Sequence, residues 1–355
     1  MAILIVSDLH YERGAYKGVD ESYAFKNFLK LVLRTKAENV IVLGDIGHAW
    51  TLGDFERLAA TGAKFHFIYG NHDPVELLKQ AKNKDGSSML MKDGEVVKIG
   101  TFAFAFINGV AGNTKLEKGM ELKEVADFEK IAEKIRSQNC DNLVLCTHPG
   151  PRTTSLIAMT PRSQSFSFTI DAASEAVTRA VEILTPFISL SGHVKFTGLG
   201  TYTSNSNTTI VVKVQTSTLE GTYALIDETA NKLEIGSLYN NLLFTNKPHA
   251  LSLSLSKLKE AARSGIEISD ILVTNIQEKL PLSNQNNVVS NRSKTNNEPE
   301  KKGSKSKGSE KKVEENIFNA QQQEDIVRKD DNNKTNPLLS LFRKEDSRTK
   351  KNKVI

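Results

Sequence analysis

The sequence predicts an α/β fold, a two-sheet αββα sandwich, with a largely disordered basic tail behind it. Three observations carry this expectation. Up to His193, short apolar runs alternate with stretches of helical spacing over short links, the pattern of right-handed βαβ units. Three β-type runs then follow without helical spacing between them, at 209–214, 222–227 and 232–235, as antiparallel strands that close a second sheet. Beyond about residue 246 the composition changes, and 281–355 is dominated by Asn, Ser, Lys, Gln and Glu, too polar to bury a core.

Residues 3–6 form the first apolar run and lead at once into Ser7-Asp8, so they are expected as a strand and not as a leader. Phe25, Phe28, Leu29, Val32 and Leu33 make an apolar stripe that predicts a helix over 20–35, with Asp20 as its cap. Strands at 40–43 and 64–69 are each followed by a helix, over 54–61 and 74–82, where Pro74 suits a first turn. The 89–107 segment reads as strand, and Phe102, Phe104 and Phe106 alternate so as to share one face toward a core between sheets. A Gly-rich, charged loop over 108–122 is expected at the rim of a site, before a helix over 123–137. The aperiodic stretch 149–170 is expected as a loop that walls a pocket, with Arg152 and Arg162 as candidates to grip a phosphate. A helix over 171–184 and a strand over 187–191 complete the order, and 246–280 is expected as a helical extension. The domain reading is 1–245, then 246–280, then the tail 281–355.

No run of 18 apolar residues is present, so a membrane span is not expected. Two cysteines, Cys140 and Cys146, give no disulfide framework and suit a reducing, cytoplasmic setting. Charge is unevenly placed: 25 basic against 27 acidic residues over 1–245, and 22 against 15 over 246–355. The basic tail is read either as a solvated arm or as an attachment to nucleic acid, and its apolar island around 336–342 as a docking motif for a protein partner.

The chemistry gathers where the apolar runs end. Asp8-Leu9-His10, Gly44-Asp45, Gly70-Asn71-His72-Asp73, Thr147-His148 and Ser191-Gly192-His193 each follow a predicted strand. Any one alone reads as a turn or a cap. Five in succession place Asp, Asn and His at the carboxyl edge of an α/β sheet, where such folds build sites. Oxygen donors mixed with imidazoles suit divalent Mn, Fe, Zn or Mg.

Read together, Asp8-Leu9-His10, Gly44-Asp45, Gly70-Asn71-His72-Asp73, His148 and Gly192-His193 resemble the calcineurin-like metallophosphoesterases over roughly the first 240 residues. The resemblance implies that Asp8 and His10 hold one divalent ion, that Asn71, His148 and His193 hold another, and that Asp45 bridges them. It implies that His72 is no ligand but, held by Asp73, faces the phosphate ester and either stabilises the transition state or protonates the leaving oxygen. One position departs from the family. Lys195 stands where the last histidine of Gly-His-x-His is usual, which leaves a weak first metal site, a lysine that contacts phosphate, or a lysine that turns outward to solvent. The favoured function is a hydrolase of phosphomonoesters or phosphodiesters. His48, placed three residues after Asp45, resembles the double-strand-break nuclease branch and supports a nuclease as the alternative; a scaffold weakened by Lys195 is the third reading.

Overall fold

The computed structural model describes residues 1–268 except 13, 17–18, 112–119, 121, 160–172, 195, 205–206, 217–220, 239–249 and 267. Lys195, Arg162 and the tail therefore lie outside the described residues. Two sheets form the body. The six-stranded sheet contains β1 (Ala2–Val6), β4 (Asn39–Val42), β5 (Lys64–Phe67), β13 (Thr222–Asp227), β14 (Lys232–Ser237) and β15 (Ala250–Ser254), in the order β15-β14-β13-β1-β4-β5. The seven-stranded sheet contains β6 (Val96–Ile99), β7 (Phe102–Ile107), β8 (Leu143–Thr147), β9 (Ser155–Ala158), β10 (Ile188–Ser191), β11 (Gly198–Ser204) and β12 (Asn207–Lys213), in the order β6-β7-β8-β10-β12-β11-β9. A small hairpin pairs β2 (Ala15–Tyr16) with β3 (Val19–Asp20).

Each sheet has a parallel block, β1-β4-β5 at one end of the first and β7-β8-β10-β12 in the middle of the other, so each presents a common carboxyl edge. Period-two burial supplies the core between the sheets. Ile3, Ile5, Ile41 and Leu43 from one side join Phe102, Phe104, Phe106, Val144, Leu190 and Val212 from the other in a single apolar cluster. The three phenylalanines thus face the core as their alternation predicts. Helices cover the outer faces. Phe28 of α1 (Ala24–Thr35) and Phe55 of α2 (Leu52–Ala59) meet Trp50, Phe65 and Phe67. Phe128 and Ile135 of α4 (Val125–Arg136) and Val177 and Val181 of α5 (Glu175–Leu184) cover Ala103, Ala105 and Leu145. The αββα sandwich follows from these two coverings.

Local expectations are corrected in four places. Helix α1 starts at Ala24 with no side-chain cap; Asp20 instead folds back on the Ser22 backbone N–H and hydroxyl. The helix after Pro74 is a single turn, α3 (Val75–Leu78). The 149–170 stretch contains a strand, β9, which pairs with β11 as a sheet edge. The 246–280 stretch opens with strand β15, paired to β14, before α6 (Leu255–Ser264) buries Leu255 and Leu258 in the core between the sheets. Alternation of Ala250, Leu251, Ser252, Leu253 and Ser254 suits a half-buried strand, which helical spacing further on obscured. Among the described residues no helix is long and apolar enough to cross a membrane.

Candidate metal centre

Five strand tips meet. Donor atoms of Asp8, His10 and Asp45 lie within 4.8 Å of one another, and so do those of Asp45, His148 and His193. Asp45 belongs to both sets.

The backbone delivering these side chains is bent for the purpose. Asp8 (φ 54°), His10 (φ 47°), Asp45 (φ 54°) and His193 (φ 65°) all adopt the left-handed conformation. Non-glycine residues enter it seldom and at a cost of about 1–2 kcal/mol, and such strain clusters at functional sites. Main-chain bonds between the loops hold it: Asp8 N–H donates to Gly44 O (2.9 Å), His10 N–H to Asp45 O (3.0 Å) and Gly192 N–H to His148 O (2.9 Å). Gly70 is needed for close approach. A Cβ there would lie 2.5 Å from His148 Nε2 and nearer still to Asp45 Oδ1.

Each donor is aimed by a partner. Asp8 Oδ2 accepts from Ser7 Oγ (2.7 Å) and from His193 N–H (2.8 Å), while Oδ1 stands 3.7 Å from His10 Nε2. His148 is fully buried, and its Nδ1 donates to the Leu43 carbonyl at 2.7 Å. A carbonyl only accepts, so that nitrogen carries the proton and Nε2 is the one presented to the site. Nε2 lies 3.3 Å from Asp45 Oδ1 and 3.1 Å from His193 Nδ1. Asn71 is buried in the same loop, and the half-buried His72 ring stands 6.0 Å from that of His10. The His72 N–H donates to Asp45 Oδ1 (2.9 Å).

The electrostatics favour a cation. Burial opposes protonation of His148, yet Asp45 and then Asp8 push it up to about 10. Burial likewise opposes ionisation of Asp45, and His148 holds it well below the usual carboxylate range. His193, desolvated and beside His148, is drawn down to about 4 and offers a neutral imidazole. A field that draws positive charge to His148 beside a shared carboxylate, with a neutral imidazole at His193, is one that a divalent ion fits.

Asp73 is fixed by the main chain of both loops. Its oxygens accept from the backbone N–H groups of Asp45 (2.8 Å), Ile46 (2.6 Å) and Gly70 (2.6 Å), so the carboxylate pins the two loops together. Burial and the charge of Asp45 push it up to about 6. Arg152 is exposed and ion-paired with Glu175 at 2.7 Å. His48 is exposed, and its N–H donates to Glu12 (3.1 Å).

A family model, the calcineurin-like phosphoesterase superfamily domain, matches residues 1–148, a span that contains Asp8, His10, Asp45, Asn71, His72, Asp73 and His148. A crystal structure of a protein from Thermus thermophilus is similar to this chain at 15% identity, covering 66% of this chain and 98% of its own with a TM-score of 0.47. A dimetal phosphatase from Danio rerio is similar at 11% identity over 72% of this chain and 98% of its own, with a TM-score of 0.40. A purple acid phosphatase from yellow lupin (Lupinus luteus) seeds is similar at 16% identity over 71% of this chain and 53% of its own, also at 0.40. No curated protein matches the chain.

Three supporting residues escape a reading of the sequence by motif. Ser7, directly before Asp8, fixes that carboxylate. Leu43 contributes its carbonyl to His148. Asn108, at the end of β7, accepts from Tyr69 N–H (3.1 Å) and donates to Met91 O (2.9 Å), while Gly109 N–H donates to Tyr69 O (2.8 Å). That clamp joins the two sheets directly before Gly70-Asn71-His72. Only the position of Ser7 beside a motif residue was a signal in the sequence.

Proposed function

We propose that the chain is a metal-dependent phosphoesterase that hydrolyses phosphomonoesters or phosphodiesters. The observation that carries this reading is the pair of donor sets that share Asp45. On this reading Asp8 and His10 hold one divalent ion, Asn71, His148 and His193 the other, and Asp45 lies between them. Bound there, the ions supply Lewis-acid activation of water and neutralise charge on the phosphoryl group. Ser7 and the His193 N–H fix Asp8 Oδ2, so Oδ1 is turned toward His10. Leu43 keeps the His148 proton on Nδ1, which leaves Nε2 to coordinate. His72, tethered to Asp45 through its backbone, delivers a proton to the leaving oxygen.

The test is a panel of chromogenic phosphomonoesters, phosphodiesters and labelled DNA, with Mn, Mg, Zn, Fe or chelator, run on the wild type and Asp45→Asn. We expect metal-dependent turnover, lost in the variant together with bound metal. Turnover that persists in chelator, or in Asp45→Asn, overturns the proposal. Cleavage of DNA in preference to small esters would favour the nuclease reading, for which the surplus of basic residues over 246–355 speaks.

A further inference from the structure

Lys213 is the last residue of β12 and lies level with Ser191 at the end of β10. Both strands run parallel to β8, so the pair stands at the carboxyl edge from which His148 and His193 emerge. Lys213 is only 3% exposed, yet among the described residues no carboxylate pairs with its ammonium. Its Nζ lies 5.5 Å from the centroid of the Phe196 ring. The Ser191 hydroxyl is fully buried and among the described residues has no hydrogen-bond partner, and neither has Gln215 Oε1 two residues past Lys213. Gly150 crosses over the pair: a Cβ there would lie 2.6 Å from Ser191 Oγ and 3.0 Å from Lys213 Cε. Gly150 is two residues from His148 and Ser191 two from His193, at most about 7 Å of chain in each case.

An ammonium without a counter-charge is expensive to bury, and packing alone would be served as well by methionine. Burial draws Lys213 down to about 8. Buried polar groups left unmet in a native structure call for an explanation, and an anion that arrives with a ligand is one. We propose that Lys213, backed by Ser191, forms an anion subsite beside the metal centre and takes a second negatively charged group, phosphoryl or carboxylate, of the phosphoester held there. This rests on the phosphoesterase reading only in that an ester phosphate occupies the metal centre. A desolvated ammonium contacts such a group strongly, because little water competes for either.

The experiment is calorimetric titration of the metal-loaded full chain with orthophosphate, pyrophosphate and phosphonoacetate. Pyrophosphate carries a second phosphoryl group and phosphonoacetate a carboxylate, so the two arms separate the sources of the second charge. We expect at least one of the two to bind about tenfold more tightly than orthophosphate, a difference of about 1.4 kcal/mol. Lys213→Met should abolish that preference while leaving orthophosphate binding unchanged. If Lys213→Met does not fold, Lys213→Arg should keep the preference and Ser191→Ala should reduce it. No preference in the wild type, or an undiminished one in Lys213→Met or, failing that, in Ser191→Ala, overturns the subsite. A Lys213-dependent preference in a chain that hydrolyses no ester would remove the phosphoesterase reading and leave the subsite standing.

Discussion

His148 and His66 are both buried imidazoles at the strands of this sandwich, and their surroundings drive them opposite ways. His66 lies within β5, stacked on Phe106 at 6.1 Å between ring centroids, with Nε2 bonded to Asn39 Oδ1 (3.1 Å). Burial, and then the charge of Lys64, draws it down to about 4. His148 is more deeply buried, and the charges of Asp45 and Asp8 nevertheless push it up to about 10. Burial alone excludes a positive charge. At the strand-tip edge two carboxylates outweigh burial, and that edge collects a cation, proton or metal.

The largest expected effect tests the edge itself. His148→Asn should lower turnover by more than the 10–100-fold that typically follows loss of a supporting group, and should lower bound metal, as read by assay and elemental analysis. An unchanged metal content would break the contrast with His66.

The His66 side of the comparison is tested by pH. The folded-state value, about 4, lies below the ordinary 6.5, so the unfolded chain binds the extra proton first. Stability from His66 is therefore complete above about pH 6.5 and is lost as pH falls toward 4, by about 3 kcal/mol in all. Urea unfolding at pH 7 and pH 4.5 should show a smaller drop for His66→Gln than for the wild type. Equal drops would show that other groups govern the acid limb.

Asn108 lies between the two cases, outside the donor sets but tied to the loop that carries them. Asn108→Ala should cost about 1–3 kcal/mol of stability, as expected when buried donors and acceptors lose their partner. It should also lower kcat more than it raises KM, since the loop from Tyr69 to His72 loses its clamp. A change in melting temperature with kinetics intact would make Asn108 a purely structural tie. The smallest effect is expected from ending the chain after residue 268. Ester hydrolysis should stay within about twofold of the full chain, a change under 0.5 kcal/mol. The cut belongs there and not after 245, because β15 and α6 supply Leu251, Leu253, Leu255 and Leu258 to the core.

The two-sheet fold and the meeting of Asp8, His10, Asp45, His148 and His193 were legible because apolar alternation sets strands and short links set their direction. What escaped depends on partners distant in the chain. The oxygens of Asp73 find the backbone of residues 45, 46 and 70 once the two loops are packed, and no local pattern marks those partners. Arg152 follows His148 closely, yet the N-terminus of α5 brings Glu175 to it. Strands β9 and β15 are sheet edges, and edge strands carry weaker apolar patterns than buried ones.

The left-handed backbone at Asp8, His10, Asp45 and His193 has a consequence for how this centre can be dissected. At each position the residue serves twice, once through its donor atom and once by tolerating a conformation that asparagine, aspartate and histidine accept better than most. Alanine scanning would therefore confound the two contributions, charging to coordination a loss that belongs partly to the loop. Asparagine is the discriminating replacement, because it keeps the tolerance and changes the donor. An Ala variant weaker than its Asn counterpart at these positions, and not at His148, would measure the conformational share directly.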